Sequence, residues 1–152
     1  MEKLLQELKN KGLTLGSVES MTGGLFSAKF TENPGSSAVF KGGIVTYSCE
    51  EKINIVGVKK ETIEKYGVVS EEVAIEMAEK GRQLLNVDIC VSVTGNAGPT
   101  TEPGGKPVGC FYVGISTKNG TTAEVYQKSG KRSEIRNSAV LAMRDLVHLK
   151  NN

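Results

Sequence analysis

The chain has 152 residues, the length of a single domain, and its 19 basic and 17 acidic residues give a net charge of +2. This near-balance argues against a nucleic-acid-binding surface, and no apolar run reaches the roughly 18 residues of a membrane span. Three cysteines without metal spacing and a single histidine argue against a metal centre and against a histidine-based triad. We therefore expect one cytoplasmic domain over residues 1–152 that binds neither nucleic acid nor a membrane.

The predicted elements alternate between helices and strands and end with a hairpin. In chain order they are a helix over 2–12, a strand over 13–20, a helix over 22–32 with Thr22 as its N-cap, a strand within 39–48, two short helices ending at Gly57 and Gly67, a helix over 70–85, a buried strand over 88–95, a hairpin around Lys118–Gly120 and a helix over 133–150. We expect Leu84, Leu141 and Leu149 on the inner faces of the last two long helices. This order predicts an α/β fold, a three-layer sandwich with a mixed β-sheet flanked by helices.

A serine follows the first predicted strand, within the segment ESMTGG at 19–24. The N-terminus of the next helix offers unpaired N–H groups and a partial positive charge, which can bind a phosphate or stabilise an oxyanion beside a serine nucleophile. The segment is neither a GxSxG elbow nor a Walker loop. On these six residues alone, an N-capped turn with glycines for close packing is the favoured explanation.

Tyr47 and Lys52 follow the second predicted strand. Lys52 lies in the first turn of the next helix, where the helix dipole disfavours a cation. A desolvated lysine near positive dipoles can lose its proton and act as a general base. On this segment alone, an exposed lysine paired with a neighbouring glutamate is the favoured alternative.

Two further segments could contact a ligand. The residues from Thr94 to Gly98 begin a long loop rich in Gly, Pro and Thr after a buried strand, and their backbone N–H groups can approach a ligand. A turn-rich surface loop explains the composition about as well. Arg132, before the last helix, suits a phosphate, although a solvated charge cluster is commoner. With the histidine discounted, a serine–lysine pair is the most economical nucleophile and base.

Six segments together resemble the CinA C-terminal domain family, the nicotinamide-nucleotide amidohydrolases. They are ESMTGG (19–24), PGSSAVFKGGIVTYSCEEK (34–52), GVVSEEVA (67–74), VTGNAGP (93–99), KPVG (106–109) and SGKRSEIR (129–136). They occur in the family's order, and the resemblance extends from about Leu4 to Leu149. It implies a hydrolase that converts nicotinamide mononucleotide to nicotinate mononucleotide and ammonia without a metal or cofactor. Its relatives suggest a homo-oligomer whose partner is a small-molecule nucleotide.

The family's functional residues carry over by motif. Ser20 matches the nucleophile, Lys52 the base and Tyr47 an assisting residue, whereas Arg132 matches the arginine of a Gly-Asp-Arg motif that we assign to the substrate phosphate. In the mechanism this implies, N–H groups near Gly23 and Gly24 hold the oxyanion. The substrate-binding walls would be formed by Thr22, Gly23, Gly24, Thr94, Gly95, Asn96, Ala97 and Gly98.

Four positions depart from the family's pattern, in which Cys is usual at Met21, Asn at Cys49, Ile at Asn96 and Asp at Lys131. None removes the serine, lysine or tyrosine, but Asn96 and Lys131 bear on substrate fit. Many relatives carry an additional N-terminal domain, and this chain resembles the stand-alone form. Two other functions remain open: a non-catalytic nucleotide-binding module, and an interaction protein in competence or the DNA-damage response.

Overall fold

The computed structural model describes all 152 residues, Met1–Asn152, and reproduces the predicted alternation of helices and strands. A short 3₁₀ turn covers Ser36–Ala38, and a π-helical turn covers Lys52–Val56. The elements are α1 (Glu2–Lys11), β1 (Leu15–Glu19), α2 (Leu25–Thr31), β2 (Phe40–Val45), α3 (Cys49–Glu51), α4 (Lys60–Tyr66), α5 (Glu71–Leu85), β3 (Ile89–Gly95), β4 (Cys110–Thr117), β5 (Gly120–Gln127) and α6 (Arg132–Lys150).

The five strands form one mixed sheet in the order β2-β1-β3-β4-β5. β1 pairs in parallel with both β2 and β3, whereas β3–β4 and β4–β5 are antiparallel. From β1 the chain goes first to β2 on one side and then to β3 on the other. The carboxyl end of β1 is therefore the point where the strand order reverses, which is where open α/β sheets place their ligand sites.

Helices cover both faces of this sheet. α1, α2 and α6 pack on one face and enclose the larger hydrophobic core, which includes Leu8, Phe26 and Met143. On the opposite face, α5 and the π-helical turn enclose a smaller cluster that includes Val56 and Met77. This arrangement confirms the predicted three-layer α/β sandwich. No helix has the length and apolar character that a membrane span requires.

The N-cap predicted for α2 is wrong. α2 begins at Leu25, and its N-cap is Gly24, whose φ of 99° is a left-handed conformation that glycine adopts without steric cost. The Thr22 hydroxyl donates instead to the Glu19 carboxylate, at 2.7 Å. The four residues after Ser20, 21–24, therefore form a turn that precedes the helix.

Three leucines predicted to face the core are exposed instead. Leu84 is 55% exposed because the buried stripe of α5 follows the i, i+4 row through Met77 and Gly81 to Leu85. At Gly81 a Cβ atom would collide with side chains of the sheet, so the helix approaches the strands closely along this row. Leu141 and Leu149 are 48% and 64% exposed. The residues that α6 buries are Ile135, Ala139, Val140, Ala142, Met143, Leu146 and Val147.

Candidate active site

The carboxyl ends of β1, β2 and β3 meet at one edge of the sheet, because the three strands are parallel neighbours. A cavity of about 330 Å³ opens there. Eight of the predicted site residues line it: Ser20, Tyr47, Lys52, Thr94, Gly95, Asn96, Ala97 and Arg132. The other four predicted residues, Thr22, Gly23, Gly24 and Gly98, lie outside its lining.

Ser20 and Lys52 are in direct contact although 32 positions separate them. Lys52 Nζ lies 2.8 Å from Ser20 Oγ, and both residues are buried, with 1% of Lys52 and 7% of Ser20 exposed. Lys52 forms no salt bridge with a carboxylate. The alternative of an exposed lysine paired with a glutamate is therefore wrong. The geometry allows a proton to pass between the lysine and the serine hydroxyl.

Burial also changes the protonation of the lysine. Desolvation lowers the pKa of Lys52 from 10.5 to about 8, and nearby Cys49 opposes this shift only in part. At pH 7, about one molecule in ten then carries Lys52 as a neutral amine. A neutral amine at hydrogen-bond distance from a hydroxyl has the chemistry of a general base.

Thr46 holds Lys52 in place through its backbone. The Thr46 carbonyl accepts a second hydrogen bond from Lys52 Nζ at 2.7 Å, and the Thr46 amide donates to the Glu19 carbonyl at 2.9 Å. Together with the Ser20–Lys52 contact, these bonds close a ring that joins the end of β1 to the end of β2. The sequence offered no signal for Thr46, since only its backbone takes part.

Glu19, directly before Ser20, anchors the serine turn to α2. Its buried carboxylate accepts from the Thr22 hydroxyl and, at 2.9 and 3.0 Å, from the amides of Phe26 and Ser27. The Ser27 hydroxyl donates a fourth bond, at 2.6 Å. The carboxylate therefore caps the first turn of α2, where the helix dipole favours a negative charge. An acid at a strand end just before a helix was the available sequence signal for this role.

The backbone amides of the serine turn differ in their availability. The Gly23 amide donates to the Ser20 carbonyl at 3.0 Å, so it is already paired, contrary to the expected oxyanion role. The amides of Met21, Thr22 and Gly24 donate to no acceptor in the protein, and of these three residues only Met21 lines the cavity. Unpaired donors next to a nucleophile can stabilise negative charge that develops on a substrate oxygen.

Tyr47 and Arg132 meet across the mouth of the cavity. Arg132 is the first residue of α6, and its guanidinium donates to the Tyr47 hydroxyl at 2.9 Å and to the Gly98 carbonyl at 2.6 Å. Tyr47 is 61% exposed, and Arg132 is exposed as well. The contact brings together two residues predicted separately, and it leaves a solvent-accessible cation beside the cavity.

The loop after β3 forms the remaining wall. At Gly95 a Cβ atom would collide with Phe111 and with Met21, so only glycine allows this close approach. The Asn96 side chain accepts from the Gly98 amide at 3.0 Å, which orders the start of the loop. A groove of about 620 Å³ along residues 100–106 adjoins the cavity, and the two share six lining residues: Cys49, Val68, Val69, Gly95, Asn96 and Glu102. No group of three or more His, Cys, Asp or Glu side chains is arranged to hold a metal ion.

Comparison with known proteins identifies the relatives of this chain. It is 51% identical over 145 residues to a protein of Thermoanaerobacter pseudethanolicus named as competence-damage inducible, covering 95% of this chain and 34% of that protein. It is 43% identical over 148 residues to a CinA-like protein of Fervidobacterium nodosum, covering 97% of this chain and 36% of that protein. The chain thus spans about a third of the length of these curated relatives.

Solved structures agree with the sequence matches. A CinA superfamily protein from Escherichia coli has a TM-score of 0.94 at 28% identity, covering 97% of this chain and 87% of that one. A competence/damage inducible protein from Agrobacterium tumefaciens has a TM-score of 0.92 at 32% identity, covering 99% of this chain and 95% of that one. The family model of the CinA C-terminal domain matches residues 1–150. These matches confirm the resemblance seen in the sequence, and the chain belongs to the CinA C-terminal domain family.

Proposed function

We propose that this protein hydrolyses the carboxamide of nicotinamide mononucleotide to nicotinate mononucleotide and ammonia, with Ser20 as nucleophile and Lys52 as base. The observation that carries the proposal is the 2.8 Å contact between Lys52 Nζ and Ser20 Oγ at the end of β1. The lowered pKa of Lys52 supports it, because a base must be neutral to accept a proton. Membership of the CinA family supports the choice of substrate.

The first step transfers the Ser20 hydroxyl proton to neutral Lys52 while Ser20 Oγ attacks the carboxamide carbon. The carbonyl π electrons move to the oxygen and form a tetrahedral oxyanion. The Thr46 carbonyl keeps Lys52 Nζ directed at the serine during this transfer, because it accepts a hydrogen bond from the amine in either protonation state.

The oxyanion needs hydrogen-bond donors that are free before the substrate arrives. We assign this role to the unpaired amide of Met21, which lines the cavity, in place of the Gly23 amide. One such donor is worth about 3 kcal/mol of transition-state stabilisation in well-studied hydrolases.

Collapse of the tetrahedral intermediate breaks the C–N bond. The Lys52 ammonium, assisted by Tyr47, returns its proton to the departing nitrogen, which leaves as ammonia. Lys52 is then neutral again and takes a proton from the water that attacks the acyl-enzyme. The bond between the carbonyl carbon and Ser20 Oγ then breaks, Lys52 returns the proton to Ser20 Oγ, and nicotinate mononucleotide leaves.

Arg132 anchors the 5′-phosphate in this proposal. Its guanidinium is exposed at the mouth of the cavity, and its two present acceptors are neutral oxygens. A phosphate dianion accepts bidentate hydrogen bonds from arginine more strongly than neutral oxygens do. Binding energy from this remote group can hold the amide at the serine.

Ammonia release from nicotinamide mononucleotide tests the proposal. We expect turnover by the wild type, less than a thousandth of that rate for Ser20→Ala, and wild-type turnover for the control Ser37→Ala, an exposed serine outside the cavity. Thermal unfolding of each variant checks that the fold is retained. Binding of the nucleotide without ammonia release would contradict the proposal and favour the non-catalytic module, and full activity of Ser20→Ala would exclude Ser20 as the nucleophile.

A further inference from the structure

Arg136, in the second turn of α6, contacts the turn that follows Ser20. Its Nε donates to the Met21 carbonyl at 3.1 Å and its Nη2 donates to the Thr22 carbonyl at 2.8 Å, across more than 110 positions of sequence. Arg136 is part-buried and forms no salt bridge with an acidic side chain. An arginine usually pairs with a carboxylate when it leaves water, so its use on two backbone carbonyls calls for a reason.

Two peptide groups in series connect this guanidinium to the backbone amide of Met21, the residue after Ser20. The Thr22 carbonyl, which accepts from Arg136, belongs to the same planar peptide as the Gly23 amide. The Gly23 amide donates to the Ser20 carbonyl, which belongs to the same planar peptide as the Met21 amide. The Met21 amide has no acceptor in the protein, and Met21 lines the cavity.

This connection has two physical consequences. Because each peptide is planar and trans, fixing its carbonyl also fixes the direction of its N–H, so Arg136 sets the orientation of the Met21 amide through Gly23. In addition, a hydrogen bond accepted by a carbonyl polarises the N–H of the same peptide, and successive bonds strengthen one another. The Arg136 guanidinium, which no carboxylate neutralises, lies at one end of this hydrogen-bond series, and the unpaired Met21 amide lies at the other.

We propose that Arg136 is a positioning residue that orients and polarises the Met21 amide as an oxyanion donor. The inference rests on the proposed function, since it concerns the oxyanion of the Ser20 reaction. It assigns a role to the second arginine of the SGKRSEIR segment, which does not touch the substrate in our mechanism. Loss of an oxyanion donor typically lowers kcat by about 100-fold or more.

Steady-state kinetics of Arg136 variants on nicotinamide mononucleotide provide the first test. We expect Arg136→Met to lower kcat about 100-fold with KM changed less than twofold, because the donor acts in the transition state. Arg136→Lys, which keeps the charge but cannot span both carbonyls, should recover about tenfold of that loss. The control Arg144→Met, on the same helix, removes an arginine that pairs only with Asp145 and should retain wild-type kinetics. A loss of thermal stability without the selective fall in kcat would contradict the positioning role.

A measurement that does not use nicotinamide mononucleotide tests the role of Arg136 independently of the proposed substrate. A fluorophosphonate reagent phosphonylates an activated serine with loss of fluoride, and its phosphoryl oxygen uses the same oxyanion donors. We expect labelling of Ser20 in the wild type and labelling at least tenfold slower in Arg136→Met. If the wild type is labelled at least tenfold faster than Arg136→Met but releases no ammonia from nicotinamide mononucleotide, the proposed substrate is wrong while the role of Arg136 stands. Equal labelling rates, or no labelling of the wild type, would overturn the role of Arg136.

Discussion

Replacing Lys52 with methionine should make the protein more stable at neutral pH. Methionine has about the length of the lysine stem and carries no charge, so it suits a site that is 1% exposed. The expected gain arises because the folded protein holds a group that prefers to be charged in an environment that disfavours the charge. Lys52, the base in our proposal, would then lower the free energy of unfolding at neutral pH.

The size of this effect follows from the pKa of Lys52. Lowering it from 10.5 to about 8 corresponds to about 3 kcal/mol, at about 1.4 kcal/mol for each tenfold change in proton affinity. The Met variant loses the lysine hydrogen bonds to Ser20 and Thr46, at about 1 kcal/mol each and so about 2 kcal/mol in total. The free energy of unfolding of Lys52→Met at pH 7 should therefore exceed that of the wild type by about 1 kcal/mol.

The pH dependence of this difference is the sharper test. Because the pKa of Lys52 is lower in the folded state, the folded protein binds fewer protons between pH 8 and 10.5, and wild-type stability rises with pH across this interval. Below pH 8 the destabilisation by Lys52 is fully present, and above pH 10.5 it is absent. The advantage of the Met variant should therefore fall by about 3 kcal/mol between pH 7.5 and 10.5.

Urea unfolding at half-unit pH intervals measures both quantities. Lys60→Met is a matched control, because the Lys60 side chain is 72% exposed and its removal should shift stability by less than about 0.5 kcal/mol at every pH. A difference between Lys52→Met and the wild type that stays constant with pH would refute the reasoning. So would a Met variant that is less stable than the wild type at pH 7.

Three further predictions concern the same site. The kcat/KM for nicotinamide mononucleotide should rise with pH and level off above about 8, as Lys52 becomes neutral; a flat profile from pH 6 to 9 would exclude Lys52 as the base. Arg132→Met should lower kcat/KM for the mononucleotide between about 10- and 100-fold yet leave that for free nicotinamide, which has no phosphate, unchanged; equal losses on both substrates would exclude the phosphate anchor. Glu19→Gln should lower the free energy of unfolding by about 2 kcal/mol, because the amide NH₂ faces donors that the carboxylate accepts; an unchanged urea midpoint would contradict this role.

Much of the fold could be predicted from the sequence because its signals are local. Gly12 and Gly57 end their helices in left-handed conformations, and Ser70 caps α5 as its sequence indicates. The buried faces of α5 and α6 were harder to predict. Leu84 and Leu85 are adjacent and chemically identical, and only the close approach at Gly81 decides which of them faces the sheet.

The proposed catalytic pair could be named from the sequence through the family resemblance, whereas the residues that support it could not. Ser20 and Lys52 stand out because of their positions after strands, and the order of the parallel strands then brings them together. Thr46 and Arg136 act on or through backbone carbonyls, so no side-chain motif announces them. The protonation of Lys52 depends on how much water surrounds it, which only the assembled fold determines.

Because the ring of hydrogen bonds through Thr46 includes the end of β2, local unfolding of this strand should disrupt the candidate active site. β2 is an edge strand that pairs only with β1. Thr46, which accepts a hydrogen bond from Lys52, directly follows β2 in the chain. Edge elements open with less free energy than the centre of a sheet, on pathways that leave the rest of the fold intact. Activity should therefore disappear at a lower urea concentration than the far-ultraviolet circular dichroism signal. The amide protons of β2 should exchange with solvent before those of β1 and β3.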